Sequence, residues 1–100
     1  MFLERMVQTV RPGKWAALEE IEKQYNVVEG RLGFPPKRRY QMLFGGHRVN
    51  TLVVEREWES MAAMEAAWMK AMADPEEQAL GTKLDEILES TQWEIYYVLP

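Results

Sequence analysis

Apolar and polar positions change their rhythm several times along the chain, and each change marks an element. Leu3 to Val10 mixes the two kinds in the manner of a strand, with Phe2, Met6 and Val10 on one parity and Leu3, Val7 and Thr9 on the other. Pro12-Gly13 ends it. From Lys14 to Val28 the rhythm becomes helical. Trp15, Leu18, Ile21, Tyr25 and Val28 recur at three- and four-residue steps, while Glu19, Glu20, Glu22 and Lys23 fall off that stripe. Gly30 suits the left-handed residue that commonly follows a helix. Arg31 to Lys37, with Gly33, Pro35 and Pro36, reads as a loop.

Two β-rich runs follow, Arg38 to Phe44 and Asn50 to Trp58. The Gly45-Gly46-His47-Arg48-Val49 stretch between them reads as a hairpin connection. Ser60 is placed to cap a helix in which Met61, Met64, Trp68 and Met72 keep helical spacing. Asp74-Pro75-Glu76-Glu77 is a second start signal: an acidic cap, a proline at the first helical position and a glutamate three residues after the cap. Leu80, Leu84 and Ile87 or Leu88 continue the stripe, so helix is predicted from Met61 to Ser90 with a break at Asp74-Pro75. Trp93 to Leu99 closes the chain as a strand, with Trp93, Ile95, Tyr97 and Leu99 on one parity. The order β-α-β-β-α-β predicts an α+β, ferredoxin-like sandwich: a four-stranded antiparallel sheet with both helices on one face. No linker, repeat or low-complexity tract interrupts residues 1–100, so one domain is expected.

The strands do not alternate as cleanly as a sheet with one wet face should. Leu3 and Val7 oppose Phe2, Met6 and Val10. Val53 opposes Leu52, Val54 and Trp58, and Tyr96 and Val98 oppose the main parity of the last strand. One face must meet the helices. The other still carries apolar area, and 100 residues provide no third layer. A second copy of the sheet is the expected cover, so a homodimer through the sheet face is predicted.

Composition narrows the chemistry. The chain is 47% hydrophobic and 28% charged, a globular balance that argues against disorder. It has no Cys and one His, which removes thiolate chemistry and the usual His/Cys zinc sites. A domain this small buries a modest core and often needs a staple, and with disulfide and zinc set aside a partner subunit is the natural one. The net charge of −4 disfavours nucleic acid as the main partner. The charge is uneven: residues 1–50 hold nine Lys/Arg against five Glu, and residues 51–100 hold three against eleven Asp/Glu. That asymmetry fits two solvated helix faces of different sign, or a basic lining to a pocket or dimer contact. No apolar run is long enough for a membrane helix. Glu4 and Arg5 interrupt what would be the apolar part of a signal peptide, so no membrane association and a cytoplasmic location are expected.

The passage from Gly45 through Asn50-Thr51, Val54-Glu55-Arg56-Glu57 and Ser60 to Glu65, followed by Ala73-Asp74-Pro75-Glu76, resembles the NIPSNAP-type dimeric α/β-barrel domain. The resemblance implies two sheets facing each other as a barrel, with a cavity between sheet and helices in each subunit. Related barrels include cofactor-independent quinol-type monooxygenases, haem-degrading enzymes, small-molecule isomerases and stress-response proteins, so the fold selects no activity. The haem-degrading relatives combine a ligating His, an aromatic residue and an Asn. Here the first strand offers Gln8 instead of Asn and His47 stands in the hairpin, which argues against that chemistry, and no cofactor is expected.

Few residues can carry chemistry. His47 is the one side chain that ordinarily titrates near neutrality, either as a pocket base or as a solvated residue at a hairpin tip. Asn50 and Tyr40 are the other catalytic candidates, each with a structural alternative: Asn50 bonding local backbone, Tyr40 capping the sheet edge. Trp15, Trp68 and Tyr25, with Arg5 and Tyr96, are the candidate ligand-binding set. Aromatic walls suit a flat organic molecule, although a stripe at helical spacing also makes ordinary core. Trp58 belongs near the same layer, and seven Met add adaptable bulk. Arg56, between Glu55 and Glu57, reads as half of a cross-strand or inter-subunit ion pair. Lys37-Arg38-Arg39 reads as an edge-strand charge block or an anion anchor. No metal-ligand spacing, phosphate loop or nucleophile elbow occurs. These observations predict a small-molecule-binding or interaction module with, as the alternative, a cofactor-independent monooxygenase or isomerase acting on an aromatic or quinone-like molecule.

Overall fold

The computed structural model describes all 100 residues. Strand β1 (Phe2–Val10) leads into helix α1 (Trp15–Leu32). Strands β2 (Lys37–Gln41) and β3 (Thr51–Trp58) follow, then helices α2 (Met61–Ala73) and α3 (Pro75–Asp85), then strand β4 (Leu88–Tyr97). The four strands form one antiparallel sheet in the order β2-β3-β1-β4, with α1, α2 and α3 on one face. This is the predicted ferredoxin-like arrangement. No helix is long and apolar enough to cross a membrane.

Several boundaries differ from the expectation. Helix α1 runs past Gly30 to Leu32 and ends at Gly33, whose φ of 80° is the left-handed conformation. Gly30 carries no such requirement, and Arg31 and Leu32 sustain helix, so the later glycine takes the cap. Strand β2 stops at Gln41 rather than Phe44, because Leu43 and Phe44 swing out into solvent in a loop to Asn50. The break at Asp74 falls where predicted. Ser60 Oγ accepts from Ala63 N at 3.0 Å, and Asp74 Oδ1 accepts from Glu77 N at 3.0 Å, so each side chain caps its helix. Helix α3 ends at Asp85, short of Ser90, and β4 begins five residues before Trp93, since Leu88 already pairs with Val10. Leu99 lies beyond the strand.

The register sorts the side chains. Cα partners Met6–Val54 and Met6–Trp93 place Phe2, Glu4, Met6, Gln8 and Val10 on the helix side, with Leu52, Val54, Arg56 and Trp58 of β3 and Trp93, Ile95 and Tyr97 of β4. Leu3, Arg5, Val7, Thr9, Val53, Glu55, Tyr40 and Tyr96 occupy the open face. The main core under α1 and α3 is aliphatic: Val10, Leu18, Ile21, Val28, Leu52, Val54, Leu80, Ile87 and Leu88. A smaller cluster under α2 is aromatic, with Trp58, Met64 and Ala67 buried and Phe34, Trp68 and Ile95 packed against them.

Candidate functional site

The aromatic end of the sandwich holds what the aliphatic end lacks: buried charge and an adjoining cleft. Glu4 follows the apolar parity of β1, so the pleat carries its carboxylate inward, where the residue is 5% exposed. Both carboxylate oxygens are occupied. Trp58 Nε1 donates to Oε1 at 2.9 Å and Trp93 Nε1 to Oε2 at 3.0 Å. Arg56, on the same face of β3, lies with Nη1 4.0 Å from Glu4 Oε1. Its Nη2 donates to Glu29 Oε1 of α1 at 2.9 Å and its Nε to the Pro35 carbonyl at 2.9 Å. The guanidinium also stands 4.9 Å from the centre of the Phe34 ring. A buried charge is tolerated only when paired and hydrogen-bonded, and here both residues are.

The network continues outward. Lys37 Nζ reaches Glu29 Oε1 at 2.8 Å and Glu22 Oε1 at 2.7 Å. Arg39 grips Glu19 through two donors at 3.0 and 2.8 Å, which holds the Glu19 carboxyl below its usual range. Lys37 and Arg39 thus point to the helix side and tie β2 to α1, while Arg38 alone of the basic run faces the open side. The basic run stands on an edge strand, as expected, but two of its three charges are paired with carboxylates of α1. Strand alternation is the reason.

Beside Arg56 and Trp58 lies a cleft of about 880 Å³. Leu32, Pro35 and Pro36 form one wall, Ala63, Ala66 and Ala67 of α2 another, and Arg38 and Lys70 stand at its rim. It exists because Pro35 and Pro36 precede β2, which therefore first pairs at Lys37–Arg56 and leaves the last residues of β3 uncovered. Arg56 forms its base but brings no free charge, since Glu29 and Glu4 compensate it. The proton-transfer groups of the lining are the carboxylates of Glu55, Glu57 and Glu59 and the two lysines, Lys37 and Lys70.

The residues expected at a site are dispersed. His47 is exposed on the loop after β2. Asn50 Nδ2 donates to the Val10 carbonyl at 2.7 Å and so fastens that loop to the end of β1, a backbone role. Tyr40 stands on the open face of β2, 44% exposed. Trp15 and Tyr25 pack against the aliphatic core, where burial pushes the Tyr25 phenol up. Trp68 packs on Trp93, ring centres 4.6 Å apart. Arg5 and Tyr96 lie on the open face: Arg5 Nε is 3.7 Å from Glu55 Oε2, and a hydrogen bond to Glu94 raises the Tyr96 phenol. None of these lines the cleft. The aromatic stripes went into core, as helical spacing most often dictates. Glu4 was missed altogether, although a carboxylate on the parity of Phe2, Met6 and Val10 is the signal that would have found it.

No protein-family model matches the chain, and no curated protein is significantly similar to it. Solved structures do match. An uncharacterized NIPSNAP domain protein from Burkholderia xenovorans superposes with a TM-score of 0.77 at 19% identity, over 99% of this chain and 95% of the other. A NIPSNAP family protein from Agrobacterium tumefaciens gives 0.80 at 16% identity, over 96% and 90%. An antibiotic biosynthesis monooxygenase gives 0.73 at 10% identity, over the full length of both chains. At these identities the likeness is one of fold, and the chain has the fold of the NIPSNAP family proteins, as its hairpin-to-helix passage implied.

Proposed function

We propose that this chain is a small-molecule-binding module that works as a homodimer closed through the open faces of its sheets. The observation that carries the reading is the cleft: about 880 Å³, apolar along Leu32, Pro35, Pro36 and Ala67, with Trp58 in its lining. That volume suits a ring-sized organic ligand. Trp58 is fixed by its bond to Glu4, so it offers a rigid wall at little entropic cost. Leu3, Arg38 and Glu55 belong both to the cleft lining and to the open face, so a sheet-face partner would close that mouth. Val7, Val53, Tyr40 and Tyr96 on the same face supply the apolar area for such a contact. A cofactor-independent monooxygenase or isomerase is the second reading, favoured by the fold shared with the antibiotic biosynthesis monooxygenase.

Native mass spectrometry of gently purified protein, with tryptophan fluorescence titration by a naphthoquinone, tests both parts. The expected result is a dimer that retains a small molecule or quenches on quinone addition, with Trp58→Ala weakening binding by about tenfold. A bare monomer that no quinone quenches would overturn it. Quinol-dependent oxygen uptake would move the case to the second reading.

A further inference from the structure

Helix α2 is anchored on one side and unpartnered on the other. Met64, Ala67 and Ala71 are buried beneath it. On the opposite side Ala62, Ala66, Met69 and Ala73 are all exposed, Met69 by 67%. Their spacing of four, three and four is that of the a and d positions of a coiled coil. Among the thirteen residues of α2 only Glu65 and Lys70 are charged. They flank this seam on opposite sides, and neither joins any ion pair of the chain. Five residues apart on one helix they diverge by roughly 140°, so they cannot pair with each other.

A second copy resolves that arrangement. In a parallel two-helix contact the residue on one flank meets the residue five positions on in the partner, across both sides of the seam. Glu65 then faces Lys70 of the other copy, and Lys70 faces its Glu65. An antiparallel contact sets like flanks together and offers neither pair. We propose that α2 is a self-association surface through which two copies of this chain pair in parallel, Ala62, Ala66, Met69 and Ala73 at the seam and Glu65–Lys70 pairs on both flanks. Alanines let the backbones approach closely, and the helix is already built, so binding carries no folding cost. The seam is only three turns long, which makes the contact weak and concentration-dependent. It lies on the helix layer and uses no residue of the open sheet face, although Ala66 and Lys70 also line the cleft, and it stands or falls independently of a sheet-face dimer.

Sedimentation equilibrium between about 10 µM and about 1 mM tests it. The expected result is a doubling of mass across that range. Glu65→Lys and Lys70→Glu should each raise the dissociation constant of that step about tenfold, and the charge-swapped double variant should return to within about threefold of the original. All the altered side chains are exposed, and circular dichroism melting confirms that each variant is folded. A Tyr40→Lys background, which disturbs the open face, should leave the step in place. A wild-type mass that does not change with concentration, single variants without effect, or a double variant as weak as the singles would each overturn the proposal.

Discussion

The two clusters beneath the helices are held together by different forces. The aliphatic one is built from nine buried branched hydrocarbon side chains contributed by α1, α3, β1, β3, the start of β4 and Ile87 just before it. It contains no charge to satisfy, and its cost of disruption is that of lost packing. The aromatic one centres on three buried residues and shares its space with Glu4 and Arg56. Its order rests on directed bonds: two indole N–H donors on one carboxylate and a guanidinium held by a carboxylate and a carbonyl. The cleft opens beside the second cluster, with Leu32, which packs on the first, at one wall. A packed end and a hydrogen-bonded end that bears the cleft are thus made by different physics within one sheet.

Breaking the charge network should cost more than breaking the packing. Arg56→Leu removes the only cation near Glu4 and one of the two on Glu29, and leaves a carboxylate buried without compensation. A loss of about 4 kcal/mol is expected in urea denaturation. Leu18→Ala, in the aliphatic cluster, should cost about 3 kcal/mol through transfer and cavity terms. It should leave ligand binding in the cleft unchanged, whereas Arg56→Leu should abolish it. Equal effects of both variants on binding would erase the division.

The two indoles on Glu4 offer a finer comparison. Trp58 is 3% exposed and Trp93 46% exposed. Trp58→Phe leaves Glu4 Oε1 short of a donor where water does not reach, with an expected cost of about 2 kcal/mol. Trp93→Phe leaves Oε2 short of one where water can replace it, with a cost under about 1 kcal/mol. Thermal melts of the two variants check the order. A larger loss from Trp93 would mean that its packing on Trp68, not its bond, is what counts.

The aliphatic end is also the end that was legible. Val10, Leu18, Ile21, Val28, Leu52 and Leu80 sit on parities and stripes that local rhythm reveals, so element order and sheet faces follow from the sequence. Boundaries slipped where two signals competed, as at Gly30 against Gly33. The cleft-bearing end resists such a reading because its bonds are long-range. Trp58 and Glu4 are 54 residues apart and Trp93 and Glu4 89. No window of sequence contains both partners. Arg56 was expected in an ion pair, and it makes one, but with Glu29 on a helix as well as across the sheet. The cleft follows from where β2 begins, which depends on two prolines that read only as a loop.

The smallest expected effect tests how far the network's field reaches. Glu77, at the start of α3, donates its backbone N–H to Asp74 and buries one carboxylate oxygen, Oε2, without a partner. Burial pushes its pKa above the ordinary 4.5, and Glu29 and Asp74 push it further, while Lys37 and Arg56 pull it back. Folding therefore favours the protonated form. The stability this group contributes is fully present below its unfolded value and is lost as pH rises through the folded one. At pH 7 folding opposes the ionisation that the unfolded chain allows, so Glu77→Gln, which keeps the backbone bond, should raise the Tm. The gain should vanish below about pH 3, where the glutamate is neutral in both states. A gain unchanged at acid pH would mean that the amide finds a new hydrogen bond. A loss at pH 7 would mean that Lys37 and Arg56 hold the carboxylate more strongly than burial opposes it. The charged network would then reach α3, which packs on the aliphatic cluster.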